Sequence, residues 1–388
     1  MSENARILGD PPLIWPFDDL ATELPFAGRS LRALRREETL RSNIDPRRFT
    51  YAAHALATTP VLEAFGRVSS PGPKRLALID SPALRALTPL SSIEARDGLL
   101  LYDVFLDAPD GAALAELRRV ALTTRVELPM SVRRRELPRL GPPPHLMELP
   151  SDGVFAGHIE HWVHVLWISP LLVPRMIATR TGRLRRPKKA LEPNRIARSA
   201  RIHPTAFVEG SYVGENVRVG AFASIRNSYV GRDSFISDFT KISSSVLGES
   251  THTLADASFT FVVSLGQSTL ASLGLKDTLL GRSVFLTSGV IFWSESIGGT
   301  ISVDRNGVEV DTGRKVLGGC AGHLSVLGAR TILAPGRALP NRTVVVMRKE
   351  EGVFKIPTLS PGTPACWNDG ALVPFAQLRP GQVPEELA

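Results

Sequence analysis

The stretch 211–248, S-Y-V-G-E-N-V-R-V-G-A-F-A-S-I-R-N-S-Y-V-G-R-D-S-F-I-S-D-F-T-K-I-S-S-S-V-L-G, decides the fold. Its aliphatic residues Val213, Val219, Ile225, Val230, Ile236, Ile242 and Leu247 step by 6, 6, 5, 6, 6 and 5. A helix repeats its apolar residues at i, i+3, i+4 and i+7, and a half-buried strand alternates strictly, so neither gives this period. Six residues taken three times describe a triangular coil, with each wall a short strand, each corner a tight turn and one aliphatic side chain per wall pointing to the axis. A single coil cannot bury that inner face, and stacking supplies the core.

Working outward, an aliphatic-Gly pair recurs at Val213-Gly214, Val230-Gly231, Leu247-Gly248, Leu265-Gly266 and Leu280-Gly281, at spacings of 17, 17, 18 and 15. Repeats at such a period mark a solenoid. Glycine is expected after each aliphatic residue because a corner needs permissive backbone angles. The pattern runs from about Arg201 to Val346 and breaks once, at 294–314. That segment is polar and carries an Asn306-Gly307 turn signal, so it reads as a loop or small hairpin thrown out of the prism. The pairs resume at Leu317-Gly318 and Leu327-Gly328. A long loop inside a compact repeat is usually functional.

The first 178 residues read as a small mixed α/β domain. Short apolar runs predict strands at 75–79 and 98–106, and the spacing of Leu114, Leu117 and Val120-Ala121 predicts an amphipathic helix over 111–124. The segment 179–200 reads as a basic linker, and 347–388 as a strand or hairpin followed by a Pro-rich tail. Nine Lys or Arg residues fall between Arg180 and Arg201 against one acid, Glu192, and dominate the net charge of +8. No aromatic residues interleave them as a single-strand nucleic-acid binder requires, so nucleic acid is not the expected partner.

The apolar run Val163–Val173 is too short to span a bilayer, which needs about 20 residues. The N-terminus shows no basic-apolar-small secretory pattern, and the expectation is a cytoplasmic protein. Two cysteines, Cys320 and Cys366, give neither a disulfide framework nor a zinc ligand set. The run His158-Ile159-Glu160-His161-Trp162-Val163-His164 places three histidines along one drifting helix stripe. Imidazole is a common metal ligand, but the spacing is not that of the two-histidine zinc helix, and the expectation is a packed helix and no metal.

The stretch D-T-L-L-G-R-S-V-F-L-T-S-G-V-I (277–291), the loop, and V-D-T-G-R-K-V-L-G-G-C-A-G-H-L-S-V-L-G-A-R-T-I-L-A-P-G (310–336) resemble the C-terminal left-handed β-helix of bifunctional sugar-1-phosphate nucleotidylyltransferase/acetyltransferases. The resemblance covers roughly Ile202 to Val346. It implies a left-handed parallel β-helix, a homotrimer, an acyl-CoA cofactor, a sugar phosphate substrate and a site between neighbouring subunits. Carried over by position, Arg226 matches a phosphate-binding arginine, and Arg314 and Lys315 match the basic pair after the loop. The family's lysine falls at Ser243, and its catalytic histidine falls near Ala255 or Ala271, so His252 and His323 become the candidate general bases. His203, His252 and His323 lie too far apart to form the three-histidine zinc site of β-helical carbonic anhydrases.

In the N-terminal half, L-P-F-A-G-R-S-L (24–31) resembles a stretch of the nucleotidyl-transfer domain, whereas the Gly-rich phosphate loop of that domain is missing. Two functions follow as expectations. One is an acyl-CoA-dependent transferase acting on a sugar or sugar phosphate, or on sugar nucleotides. The other is a trimeric scaffold or ligand-binding protein that kept the solenoid without the chemistry.

Overall fold

The computed structural model describes residues 5–136, 146–178, 194–346, 365–368 and 371–377. Residues 179–193 of the basic linker 179–200 and the greater part of the tail lie outside the described residues. Among the described residues no helix is long and apolar enough to cross a membrane.

The C-terminal region is a parallel β-solenoid of about nine turns. Its first wall runs from Arg195–Ile196 through Tyr212–Val213, Tyr229–Val230 and Val246–Leu247 to Ala338–Leu339, and its second from Arg201–Ile202 to Val344–Val345. The third holds five strands from Phe207–Glu209 to Gly274–Lys276. Parallel register sets Val213 against Val230 and Val230 against Leu247, so the repeating aliphatic residues stand one above the next. With Ile225, Ile236, Ile242 and Leu280 they form a core that water does not reach.

Of the glycines after the aliphatic residues, Gly266 takes the permissive backbone expected, with φ at 110°, whereas Gly214, Gly231 and Gly248 serve a different purpose. The left-handed corner positions are taken by Asn216, Phe222, Asn227, Asp233, Phe239 and their successors, with φ near +50 to +60°. Gly214, Gly231 and Gly248 lie instead where coils touch. A Cβ on Gly231 would stand 2.5 Å from the Glu249 amide nitrogen and 2.6 Å from the Gly248 carbonyl carbon. Glycine is there for coil-to-coil approach.

The segment predicted to leave the prism contains an antiparallel hairpin, Ser302–Arg305 paired with Val308–Asp311. Asn306 and Gly307 both have positive φ, 56° and 81°, as a two-residue hairpin turn requires.

The N-terminal region is α/β with a mixed sheet. Strands β1 (Arg6–Leu8), β2 (Phe49–Ala52), β3 (Lys74–Ile79), β4 (Leu99–Leu106) and β5 (Leu122–Val126) lie in the order β1-β2-β4-β3-β5. β1 and β2 are parallel, and β4 runs antiparallel to both β2 and β3. The strands expected at 75–79 and 98–106 are thus present. The helix expected over 111–124 is shorter, Leu114–Val120, because residues 122–126 pair with β3 as β5. Helix α1 (Leu31–Arg41) connects β1 to β2 and starts at Ser30, whose side-chain oxygen accepts from the Ala33 amide.

The two regions share one core. Val246, Val263, Leu279, Leu317 and Cys320 of the solenoid cluster with Trp162, Val163, Leu166 and the sheet residues of the α/β region. The guanidinium of Arg314 stacks 3.5 Å above the Trp167 ring and donates to the Ala86 carbonyl, joining the base of the hairpin to the α/β region.

Candidate functional site

In open α/β sheets, ligands bind in the crevice beyond the carboxyl ends of the parallel strands. Beyond β1 come Gly9 and Asp10, and beyond β2 comes His54. Both ends open into a cleft of about 320 Å³. The α/β region supplies His54, Ser92, Arg118 and Glu160, the N-terminal segment Asp10 and Trp15, and the solenoid hairpin Asp304, Arg305 and Asn306.

The floor of the cleft is built on Asp103, a fully buried acid in the middle of the apolar strand β4. The pairing of β4 with β3 is irregular between Leu101 and Phe105, which brackets that residue. Strand irregularities of this kind re-aim side chains and cluster beside active sites. Asp103 accepts from Arg75 Nη2 at 2.9 Å and from Arg118 Nε at 3.1 Å, and His54 Nε2 stands 3.4 Å away. Burial alone raises a carboxyl pKa, but hydrogen bonds from His54 and Arg118 outweigh it and hold Asp103 well below the usual range.

Glu160 forms the second acidic point. It accepts from the Ser92 amide at 3.2 Å and from the Ser92 hydroxyl, and Arg305 approaches its other oxygen at 3.4 Å. His54 Nε2 lies 3.3 Å from Glu160. Burial would raise this carboxyl too, and its hydrogen bonds with His158 and Ser92 pull it down instead. At neutral pH both carboxylates are ionised acceptors, not proton donors.

The three histidines of 158–164 do not share a helix. His158 ends a strand, Ala156–His158, paired with Ala55–Ala57, and the helix begins only at Trp162. His161 is the N-cap of that helix. Its Nδ1 accepts from the Val163 amide, so its Nε2–H donates to the Asp304 carbonyl at 2.9 Å. His164 Nδ1 accepts from the amides of Glu160 and His161, at 3.0 and 3.1 Å, leaving Nε2–H to donate to the Pro89 carbonyl. His158 Nε2 accepts from the Asp103 amide at 3.0 Å, so Nδ1–H faces Ser92 Oγ at 3.0 Å. Burial lowers the pKa of all three, His161 to about 4, and each is a neutral, tautomer-locked imidazole.

Those hydrogen bonds decide the metal question at this cluster. His54, Asp103 and His158 bring ligand atoms within 4.8 Å of one another. The only lone pair of His158 is taken by the Asp103 backbone, and Asp103 is held by two arginines. A metal would have to break those bonds, so the residues present do not fit one. Nor is the group a serine triad, because Ser92 and the carboxylates face the same nitrogen of His54.

The positions carried over onto the solenoid are dispersed. His252 is exposed on the second wall, edge-on to Phe235 at 6.4 Å. Arg226 lies on the outside of the third wall, its guanidinium 4.9 Å above the Phe207 ring. Arg314 is engaged by Trp167 as described, and Lys315 beside it is half-buried. His323 accepts the Arg282 amide on Nδ1 at 2.7 Å and faces Asp19 Oδ2 with Nε2 at 3.2 Å. The hydrogen bond from His323, with the charge of Arg282, keeps Asp19 below its ordinary pKa. His323 thereby fastens the N-terminal segment to the solenoid. None of these five residues lines the cleft. Of the cleft residues, the sequence points to Asp304, Arg305 and Asn306 through the loop 294–314, and to Glu160 and His161 only as part of a histidine run. The signal available for the buried floor beneath them is a charge inside an apolar strand, Asp103 in L-L-L-Y-D-V-F-L and Arg75 in K-R-L-A-L-I.

No protein-family model matches the sequence, and no curated protein is similar to it at a significant level. Among solved structures, a point mutant of GDP-perosamine N-acetyl transferase from Caulobacter crescentus, in complex with CoA and GDP-perosamine, is 17% identical with a TM-score of 0.14. PerB from Caulobacter crescentus, in complex with the same two molecules, is 20% identical with a TM-score of 0.14. Each alignment covers 40% of this chain and 54% or 55% of the other, so the chain spans about half the length of these proteins. Superpositions this loose assign nothing to it.

Proposed function

We propose that the chain binds a sugar in the cleft between its α/β region and the solenoid hairpin. The observation that carries this reading is the convergence, at the carboxyl ends of β1 and β2, of paired acids and arginines beside an open aromatic ring. Glu160, Asp304 and Asp10 offer acceptors to hydroxyl groups, Arg118 and Arg305 offer donors, and Trp15, 39% exposed, offers an apolar plate for a sugar C–H face. The volume lies at the lower end of ligand pockets. The acids outnumber the arginines three to two along the lining, and a neutral polyol meets that balance better than a phosphate does.

Calorimetry and Trp fluorescence with a panel of hexoses, N-acetylhexosamines and their 1-phosphates test the proposal. Binding is expected for one neutral sugar, weakened about tenfold or more by Trp15→Ala and by Asp304→Ala. Absence of binding across the panel at millimolar concentration, with folded protein, refutes it.

The transferase reading assigns a second site to the solenoid, with acyl-CoA as donor and a homotrimer as the working form. Supporting it are the exposed Arg226 and His252 and the aromatic residues open on the same region, Phe222, Phe235, Phe239 and Phe285. Exposed apolar groups in such number suit a subunit interface. Sedimentation equilibrium measures the trimer, and acetyl-CoA calorimetry measures the donor site. A monomer, or no heat at millimolar acetyl-CoA, removes this reading and leaves the cleft proposal standing.

A further inference from the structure

Helix α1 turns Arg32, Arg35, Arg36 and Thr39 toward one side, as residues spaced i, i+3, i+4 and i+7 must lie. They line a second cleft, of about 500 Å³, which is separate from the polar one and shares no residue with it. Ile7, Pro11 and Leu40 form much of its remaining wall, and among the described residues no Asp or Glu is in its lining. Ile7 and Leu40 are 48% and 50% exposed, so the mouth of the cleft is greasy.

Arg35 is the unusual member. It is 4% exposed, and among the described residues no carboxylate pairs with it. Its guanidinium donates to the Ala53 carbonyl, while its Nε has no hydrogen-bond partner. Thr22 Oγ1, another lining group, is also buried and unpartnered. Burial pushes the Arg35 pKa down only to about 10, so the group stays cationic at neutral pH. A buried cation without a counter-charge is costly, and an anion bound beside it offsets that cost. Arg36, exposed at the same cleft, adds a second positive charge, whereas Arg32 is engaged by Glu23 at 3.0 Å.

From this combination we infer that the cleft binds a molecule with one anionic head group, carboxylate or phosphate, on an aliphatic body. The head group lies against Arg35 and the unpartnered Thr22 hydroxyl, and the body lies over Pro11, Ile7 and Leu40. Neither the sugar reading nor the acyl-transfer reading is needed for it.

The test is calorimetry on the full chain with dodecanoate, dodecyl phosphate and dodecanol, each below its aggregation threshold. One or both anions bind, and dodecanol binds at least about tenfold more weakly, since a charge-assisted hydrogen bond is being withheld. The preferred anion identifies the head group. Arg35→Gln abolishes the discrimination against dodecanol. Because that substitution reaches the core, two surface variants stand beside it: Leu40→Glu and Arg36→Glu each weaken anion binding about tenfold while circular dichroism stays unchanged. Failure of both anions to bind the wild-type chain overturns the inference. So does dodecanol binding as tightly as they do, or indifference to both surface variants.

Discussion

Replacing Asp103 by Asn keeps the shape of the side chain and removes its charge. Arg75, 2% exposed, then loses its buried counter-charge at 2.9 Å and, among the described residues, keeps only the carboxylate of Glu94, which is 53% exposed and 3.2 Å away. Arg118 is 34% exposed, so water replaces much of what it loses. The expected cost therefore comes mainly from the stranded Arg75 and amounts to about 3–5 kcal/mol, the figure for breaking one side of a buried ion pair. Against a total stability of about 5–15 kcal/mol, this is a large fraction. Urea unfolding followed by Trp fluorescence, which reads Trp162 and Trp167 inside the α/β core, measures it. Adding Arg75→Met to the Asp103→Asn chain removes the stranded charge and recovers most of the loss, as a double-mutant cycle displays. The pH dependence has a definite sign. The Asp103 pKa is lowered from 3.8 on folding, so its contribution is present above that value and is lost as acid protonates the folded carboxyl. Wild-type stability thus falls on acidification below about pH 4, and the variant falls less. A cost under about 1 kcal/mol for Asp103→Asn, or a double variant no more stable than the single one, refutes this account of the cleft floor.

Further predictions concern the frame around the clefts. Leu280→Ala, at a fully buried axial position, costs about 2–5 kcal/mol in urea unfolding. Gly231→Ala drives a methyl group to 2.5 Å from the backbone of the next coil and destabilises by about 1–3 kcal/mol, whereas Gly298→Ala, with nothing within 4 Å, is neutral. Asp19→Asn weakens the contact of the N-terminal segment with His323 and Arg282, and faster limited proteolysis near residue 18 reports it. Arg314→Ala removes the stack on Trp167 and the bond to Ala86, at a cost of about 2 kcal/mol or more, and hydrogen exchange in the hairpin 302–311 rises with it.

What could be read in the sequence follows from how each feature is encoded. The solenoid is written locally and repeatedly, since Val213, Val230 and Leu247 carry the same message at a fixed spacing, and one coil suffices to predict the next. The hairpin turn is written in two adjacent residues, Asn306 and Gly307, and β3 and β4 in continuous apolar runs. The cleft is written nowhere in one place. His54, Ser92, Asp103, Arg118, Glu160 and Arg305 are scattered over some 250 positions, and only the sheet order and the docking of the hairpin bring them together. The histidine run misled for a related reason. Its spacing suits a helix, but pairing of residues 156–158 with 55–57 holds the first of the three in a strand. The glycine pattern is legible, but its cause at Gly214, Gly231 and Gly248 is not, because a contact with the next coil has no signature in the coil that makes it; Gly266 alone of the four has the positive φ that the sequence predicts.

The cleft depends on the solenoid for more than attachment. Three of its lining residues, Asp304, Arg305 and Asn306, come from the hairpin, and the hairpin leaves and rejoins the prism between consecutive strands of the first wall, Leu279–Leu280 and Cys320–Ala321. The same wall gives Val246, Val263 and Leu279 to the core it shares with the α/β region. The position of Arg305 relative to Glu160 is therefore fixed at two points: by the shared core below, and by Arg314 on Trp167 at the hairpin base. A stacked β-solenoid is rigid along its axis because every coil is hydrogen-bonded to its neighbours, so it transmits little of the α/β region's motion into the hairpin. The rod thus acts as the fixed jaw of the cleft. The N-terminal segment carrying Asp10 and Trp15 closes the other side, anchored by Ile14 and Phe17 in the shared core and by bonds to His323, Arg282 and Asn341.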